Sequence, residues 1–173
     1  MVVQWLTTSD TTSRSPQSYV RYSLSSDYNT GSKHTPQYTD ATQQPFFALY
    51  RGRQQPFLIH TAVIRKLTSR THYTYQVGSE EGSAWSCPFA FRSLPAPGDS
   101  TEPLRFVVFG DLGLVESVAL PALIDSVRRE EFDLAIHVGD IGYDLQTVGV
   151  EFLEAVEEMA AKVPYMVGGW LGN

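Results

Sequence analysis

Residues 133–144 read DLAIHVGDIGYD, and this stretch decides the class of the C-terminal part of the chain. Leu134 to Val138 is a short apolar run carrying one histidine, stopped by Gly139. A run of that length, bounded by glycine, reads as a strand buried in a parallel sheet. A carboxylate, Asp140, follows at once, and a phenol, Tyr143, stands three positions further on. Upstream, LRFVVFG (104–110) has the same form and runs into Asp111 within GDLG. Between the two strands Leu120, Leu123, Ile124 and Val127 recur at helical spacing. Phe152, Val156, Met159 and Ala160 do so afterwards, and PYMV (164–167) starts another strand. The order β-α-β-α-β predicts right-handed crossovers and a parallel sheet. About 70 residues hold only the first half of an ordinary α/β domain, which predicts a small core and an unpaired sheet edge.

Upstream of LPAPGDSTEP (94–103), a proline-rich linker, the signals change. MVVQWLTT, SYVRYSL, FFALY, FLIHTAVIRKL, THYTYQV and CPFAFRSL are rich in Val, Tyr, Phe, Thr and Ile, separated by turn-formers. This density of short strands predicts an all-β sandwich. Within LTSRTHYTYQV (67–77), Tyr73 stands where a tyrosine corner would hydrogen-bond back to the chain. The expected organisation is therefore a fibronectin type III-like β-sandwich over 1–95, a linker over 96–103, and an α/β part over 104–173. The strand signal begins at the first residue, which predicts that the natural beginning, including a first strand, is missing.

Composition narrows the function. Hydrophobic residues make up 42% and charged residues 18% of 173, ordinary for a globular chain. No apolar run of about 18 residues exists, so no membrane span is expected. The start has neither the basic residues nor the apolar core of a signal peptide. Cys87 is the only cysteine, which excludes an internal disulfide and leaves the redox compartment open. The net charge of −6 divides into +2 over residues 1–103 and −8 over residues 104–173. An acidic half argues against nucleic acid, whose phosphates call for basic patches, and suits a metal site. A solvated acidic helix face explains most of that charge: Glu151, Glu154, Glu157 and Glu158 share one helical stretch.

The two strand ends carry the chemistry. Ligands bind at the carboxyl ends of strands in such sheets, and neighbouring strands lie roughly 4.8 Å apart. Asp111 and Asp140 can thus reach one small volume, where two carboxylates repel unless a cation lies between them or one stays protonated. Tyr143 can fold back to the same point and offer a hard oxygen suited to trivalent iron. The bland alternatives are that both aspartates cap the following helices and that Tyr143 is an amphipathic loop residue. Neither a P-loop nor a dinucleotide motif follows the first strand.

MVVQW, IHTAVIRKLTSRTHYTYQVGS, WSCPFAFRSLP, FVVFGDLG, HVGDIGYD and PYMV, in that order, resemble a purple acid phosphatase, a metallophosphoesterase with a fibronectin-like sandwich ahead of its catalytic domain. The resemblance implies that Asp111 and Tyr143 bind Fe(III) and that Asp140 bridges it to a divalent metal (iron, zinc or manganese). It implies hydrolysis of small phosphomonoesters at acidic pH, since a metal pair can stabilise both the attacking and the leaving oxygen. It points to secreted or lysosomal relatives, and it says nothing of oligomeric state.

The family's GNH[ED], VxxH and GHxH motifs supply an asparagine and three histidines. Here the histidines are His34, His60 and His72, in the sandwich half, and His137. His137 reads as a strand residue satisfied by a neighbour rather than as a ligand. After PYMV the chain ends GGWLGN. Gly172-Asn173 either opens the asparagine motif, making Asn173 a ligand of the divalent metal, or matches it by chance. The expected outcome is little phosphatase turnover from this polypeptide alone. Two other possibilities stand beside it. One is a non-catalytic interaction module using a long loop over 25–45 as its contact surface. The other is an unstable splice or truncation product.

Overall fold

The computed structural model describes residues 1–9, 16–30, 35–79, 81, 84–114, 117–143 and 145–168. The chain divides into two compact units, Met1–Phe47 with Gln55–Pro97, and Ala48–Gln54 with Gly98–Asn173.

The first unit is built from β1 (Val2–Thr8), β2 (Tyr19–Leu24), a short helix α1 (Ser25–Asn29), most of β3 (Gln37–Tyr50) and of β4 (Arg53–Val63), β5 (His72–Ser79), β6 (Ala84–Trp85) and β7 (Phe89–Arg92). The strands pair in the order β1-β4-β3-β2-β5-β6, with β7 also on β5. Val3 of β1 and Ala62 of β4 share one core with Val20, Tyr22, Tyr73, Tyr75 and Phe91 of β2, β5 and β7. The two ends of this strand path therefore face each other across a common apolar layer, which makes the unit a β-sandwich. Alternation explains the burial: in β5 Tyr73 and Tyr75 point inward and pair with Phe91 and Phe89 across the ladder. The tyrosine corner forms as the spacing predicts, with the Thr68 backbone N–H donating to the Tyr73 hydroxyl at 3.0 Å.

The structure corrects one expectation. Residues 25–45 are not a long loop: α1 and most of β3 lie there. Along QYTDATQQ only Ala41 is buried, so the apolar alternation that marks a strand is missing. Backbone pairing to β2, with Tyr19 opposite Asp40 and Arg21 opposite Tyr38, holds this polar segment in the sheet.

The second unit contains β8 (Phe106–Phe109), α2 (Ala119–Arg128), β9 (Leu134–Val138), α3 (Leu145–Ala160, with a non-helical turn at Val148) and β10 (Tyr165–Gly168). The sheet is parallel, in the order β10-β9-β8. Two clusters join the helices to one face of it: Val127, Phe132, Ala135, Met159 and Val163 in one, Leu112, Leu120, Phe152 and Val156 in the other. Arg128 clips the two helices together through paired hydrogen bonds to Glu158 at 2.6 and 2.7 Å. The predicted β-α-β-α-β order is thus realised. The opposite face of the same sheet is also apolar, yet Phe106, Val108, Val138 and Met166 stand exposed on it. Among the described residues no helix is long and apolar enough to cross a membrane.

Candidate metal centre

Parallel pairing of β8 with β9 sets Val107 against Ala135 and Phe109 against His137. It does not stop at the strand ends. Leu112 and Ile141 form a further parallel bridge, and the Gly142 N–H donates to the Leu112 carbonyl at 3.0 Å. Leu112 is buried to 2% exposure and anchors the GDLG turn from below. The two Gly-Asp turns consequently run side by side.

Both aspartates hold left-handed backbone conformations, Asp111 at φ 56° and Asp140 at φ 45°. An L-residue enters this region at a cost of roughly 1–2 kcal/mol, and aspartate tolerates it better than most. Two such residues at corresponding strand ends turn the chain sharply and leave both side chains exposed. Tyr143, itself 56% exposed, folds back as expected, and its hydroxyl donates a short hydrogen bond to Asp111 Oδ1. That bond, followed by desolvation and the negative charges of Asp111 and Asp140, pushes the phenol up to about 12. Both carboxylates therefore act on this one phenol.

The arrangement suits a cation. The phenolic proton, hydrogen-bonded to Asp111, is the positive end of this cluster. A multivalent ion would reverse the field that keeps the phenol protonated. The donor set is made of hard oxygens, as ferric iron prefers. Among the described residues no three His, Cys, Asp or Glu side chains gather in a metal-holding group; the third donor here is a phenol. Asn173 lies outside the described residues, as does His34. His60 is buried in the sandwich, its Nε2 2.7 Å from the Thr7 hydroxyl and its ring stacked on Trp5; burial lowers its pKa. His72 sits at the start of β5.

Helix capping does not explain the aspartates. α2 begins at Ala119 after Val118, with no side-chain cap, and α3 begins at Leu145, several residues beyond Asp140.

The two glycines ahead of the aspartates serve different ends. A Cβ on Gly110 would stand 2.5 Å from the Val138 carbonyl oxygen, whereas one on Gly139 would meet nothing within 4 Å. Gly139 is instead required by its φ of 76°. Asparagine at each position separates the two causes, because asparagine tolerates left-handed backbone but not a backbone collision. Gly110→Asn is expected to cost about 1–3 kcal/mol through overpacking, and Gly139→Asn below about 1 kcal/mol. Urea denaturation measures both; equal costs would refute the distinction.

Asp111, Asp140 and Tyr143 can be picked out from the sequence, but what supports them cannot. The Leu112–Ile141 bridge and the Gly110 approach leave no compositional mark. His137 is the strand residue satisfied by a neighbour that the sequence predicts: it is fully buried, with Nδ1 2.6 Å from the Tyr165 hydroxyl.

The family model described as the N-terminal domain of purple acid phosphatase matches residues 1–93. Acid phosphatase type 7 of Homo sapiens is 39% identical over 112 residues, covering 62% of this chain and 25% of that protein. A probable inactive purple acid phosphatase 27 of Arabidopsis thaliana is 34% identical over 134 residues, covering 67% and 22%. Purple acid phosphatase 22 of the same plant is 32% identical over 130 residues, covering 74% and 26%. The chain spans about a quarter of the length of these curated relatives.

Proposed function

The chain belongs to the purple acid phosphatase family, and on that premise we propose that Asp111, Asp140 and Tyr143 form one wall of a dinuclear Fe(III)–M(II) phosphomonoesterase centre. The observation that carries this is the Tyr143 phenol hydrogen-bonded to Asp111 within the field of Asp140. Asp111 and Tyr143 would hold the iron. Asp140 would share its carboxylate with the divalent ion (iron, zinc or manganese). When bound, such a pair supplies Lewis acidity toward a phosphate ester and its departing oxygen. The chain's own contribution is to gather anionic oxygens on two adjoining turns and to hold them there through the Leu112–Ile141 bridge.

The 173 residues contain four histidines. None of the three within the described residues, His60, His72 and His137, stands in a metal-holding group. Little turnover is therefore expected from this polypeptide alone. The probable inactive purple acid phosphatase 27 of Arabidopsis thaliana fits a second reading, a chain that keeps the fold without the reaction. Incubation with p-nitrophenyl phosphate at acidic pH, with iron and zinc supplied, tests the expectation. Near-background release of p-nitrophenol is the expected result. Robust turnover that Asp140→Ala abolishes would refute it.

A further inference from the structure

Val20 and Tyr22 of β2 are buried in the sandwich core, so Tyr19 and Arg21 face outward by the alternation of a strand. Arg21 stands opposite Tyr38 of β3 and Gln76 of β5. Tyr19 stands opposite Gly78 of β5, which in turn faces Trp85 of β6. A Cβ on Gly78 would lie 3.0 Å from Trp85 Cε3, so glycine there makes room for the indole to lie across the strand. The Arg21 guanidinium sits over the indole, 4.1 Å from its centroid. Its Nε–H and an Nη2–H donate to Gln76 Oε1 at 3.1 and 2.8 Å, and Gln76 Nε2 donates to the Ser86 carbonyl at 2.6 Å. Neutral groups thus fix this cation, and among the described residues no carboxylate pairs with it. Asp40, opposite Tyr19, stands on the β3 side, whereas the guanidinium leans toward β5 and β6. The Tyr19 ring meets that of Tyr38 at 83°, and Tyr38 meets Trp85 at 71°; Tyr38 is 43% exposed. Rings set nearly at right angles leave shallow slots between them.

We propose that this outer face of the sandwich docks a proline-rich acidic peptide: prolines enter the slots between Tyr19, Tyr38 and Trp85, and a carboxylate beside them pairs with Arg21. Charge complementarity carries the choice of partner. A guanidinium that lacks an anion and is already fixed in one geometry loses little freedom when a carboxylate arrives. Aromatic-lined slots take polyproline II segments, whose backbone needs little further ordering. Tryptophan, tyrosine and arginine are also the side chains that dominate binding at protein surfaces. A sulfated glycan or a nucleic acid calls for a row of cations, and the positions around Trp85 offer Arg21 alone.

The test is fluorescence anisotropy of a labelled peptide of four Pro-Pro-Glu repeats with the full chain, beside a peptide of four Pro-Pro-Gln repeats and heparin. Polyproline II turns once every three residues, so the first repeat keeps each glutamate on one edge. The glutamate peptide is expected to bind at least about tenfold tighter than the glutamine peptide. Arg21→Gln is expected to lower it to the level of the glutamine peptide, whose own affinity stays. Tyr38→Ala is expected to weaken both peptides about fivefold or more. Thermal midpoints are recorded for each variant, and if Arg21→Gln does not fold, Tyr38→Ala decides. No saturable binding of the glutamate peptide, equal affinity for the two peptides, or an affinity unchanged in either variant overturns the inference. Heparin binding that Tyr38→Ala removes, with no binding of the glutamate peptide, assigns the face to a glycan and equally overturns it.

Discussion

Ferric iron added to the chain is expected to produce a visible tyrosinate absorption band, and Tyr143→Phe is expected to abolish it completely. The chain has nine tyrosines, but Tyr143 is the one whose hydroxyl meets Asp111 and feels the charge of Asp140. Charge transfer of this kind requires a phenolate bonded to the iron, so loss of the hydroxyl removes the chromophore and not merely some affinity. Asp111→Asn takes away the other iron donor of the proposed centre and is expected to weaken binding at least about tenfold, or about 1.4 kcal/mol. Tyr165→Phe, which alters a buried phenol on β10, is expected to leave a band. Titration followed by visible absorption distinguishes these cases. A band that persists in Tyr143→Phe would put the iron elsewhere and sink the assignment.

Phe152→Ala is the largest loss of stability expected in the second unit. Phe152 is 2% exposed and sits in a cluster with Leu112, Leu120 and Val156. Removing a buried phenyl ring costs about 3–5 kcal/mol, the transfer term plus the cavity left behind. A marginally stable unit cannot absorb that loss without partial unfolding. The ring also fills the space beside Gly142, where an added Cβ would lie 3.0 Å from Phe152 Cγ. The GDIGY turn thus rests directly on this side chain. Denaturant unfolding should show the destabilisation, and Phe152→Leu should recover much of it by refilling the volume. A change below about 1 kcal/mol in Phe152→Ala would mean that the cluster does not hold the turn.

Much of the architecture was legible because burial imposes a period. Leu120, Leu123 and Val127 on α2, and Phe152, Val156 and Met159 on α3, repeat at the helical interval. β8 and β9 read as strands because a parallel sheet asks for apolar residues on both faces. β3 was not legible in its first part, since QYTDATQQ buries only Ala41 and the pairing partners are backbone groups. The acidic stretch of α3 gave no hint that Glu158 would be drawn to Arg128 on α2, because the two meet only after the crossover closes.

The sequence by itself determined which oxygens the second unit offers. A buried strand ending in Gly-Asp, met twice across one crossover, sets Asp111 and Asp140 at neighbouring strand ends, and the three-residue step to Tyr143 fits a chain folding back. Only the tertiary structure decided how these groups are held. The close approach of Gly110 to the Val138 carbonyl, the bridge between Leu112 and Ile141, and the Tyr165–His137 link joining β10 to β9 all pair residues 28 or more positions apart. Such contacts depend on strand register and on the left-handed turns at both aspartates. Register is a property of two strands together, so neither strand's own residues record it.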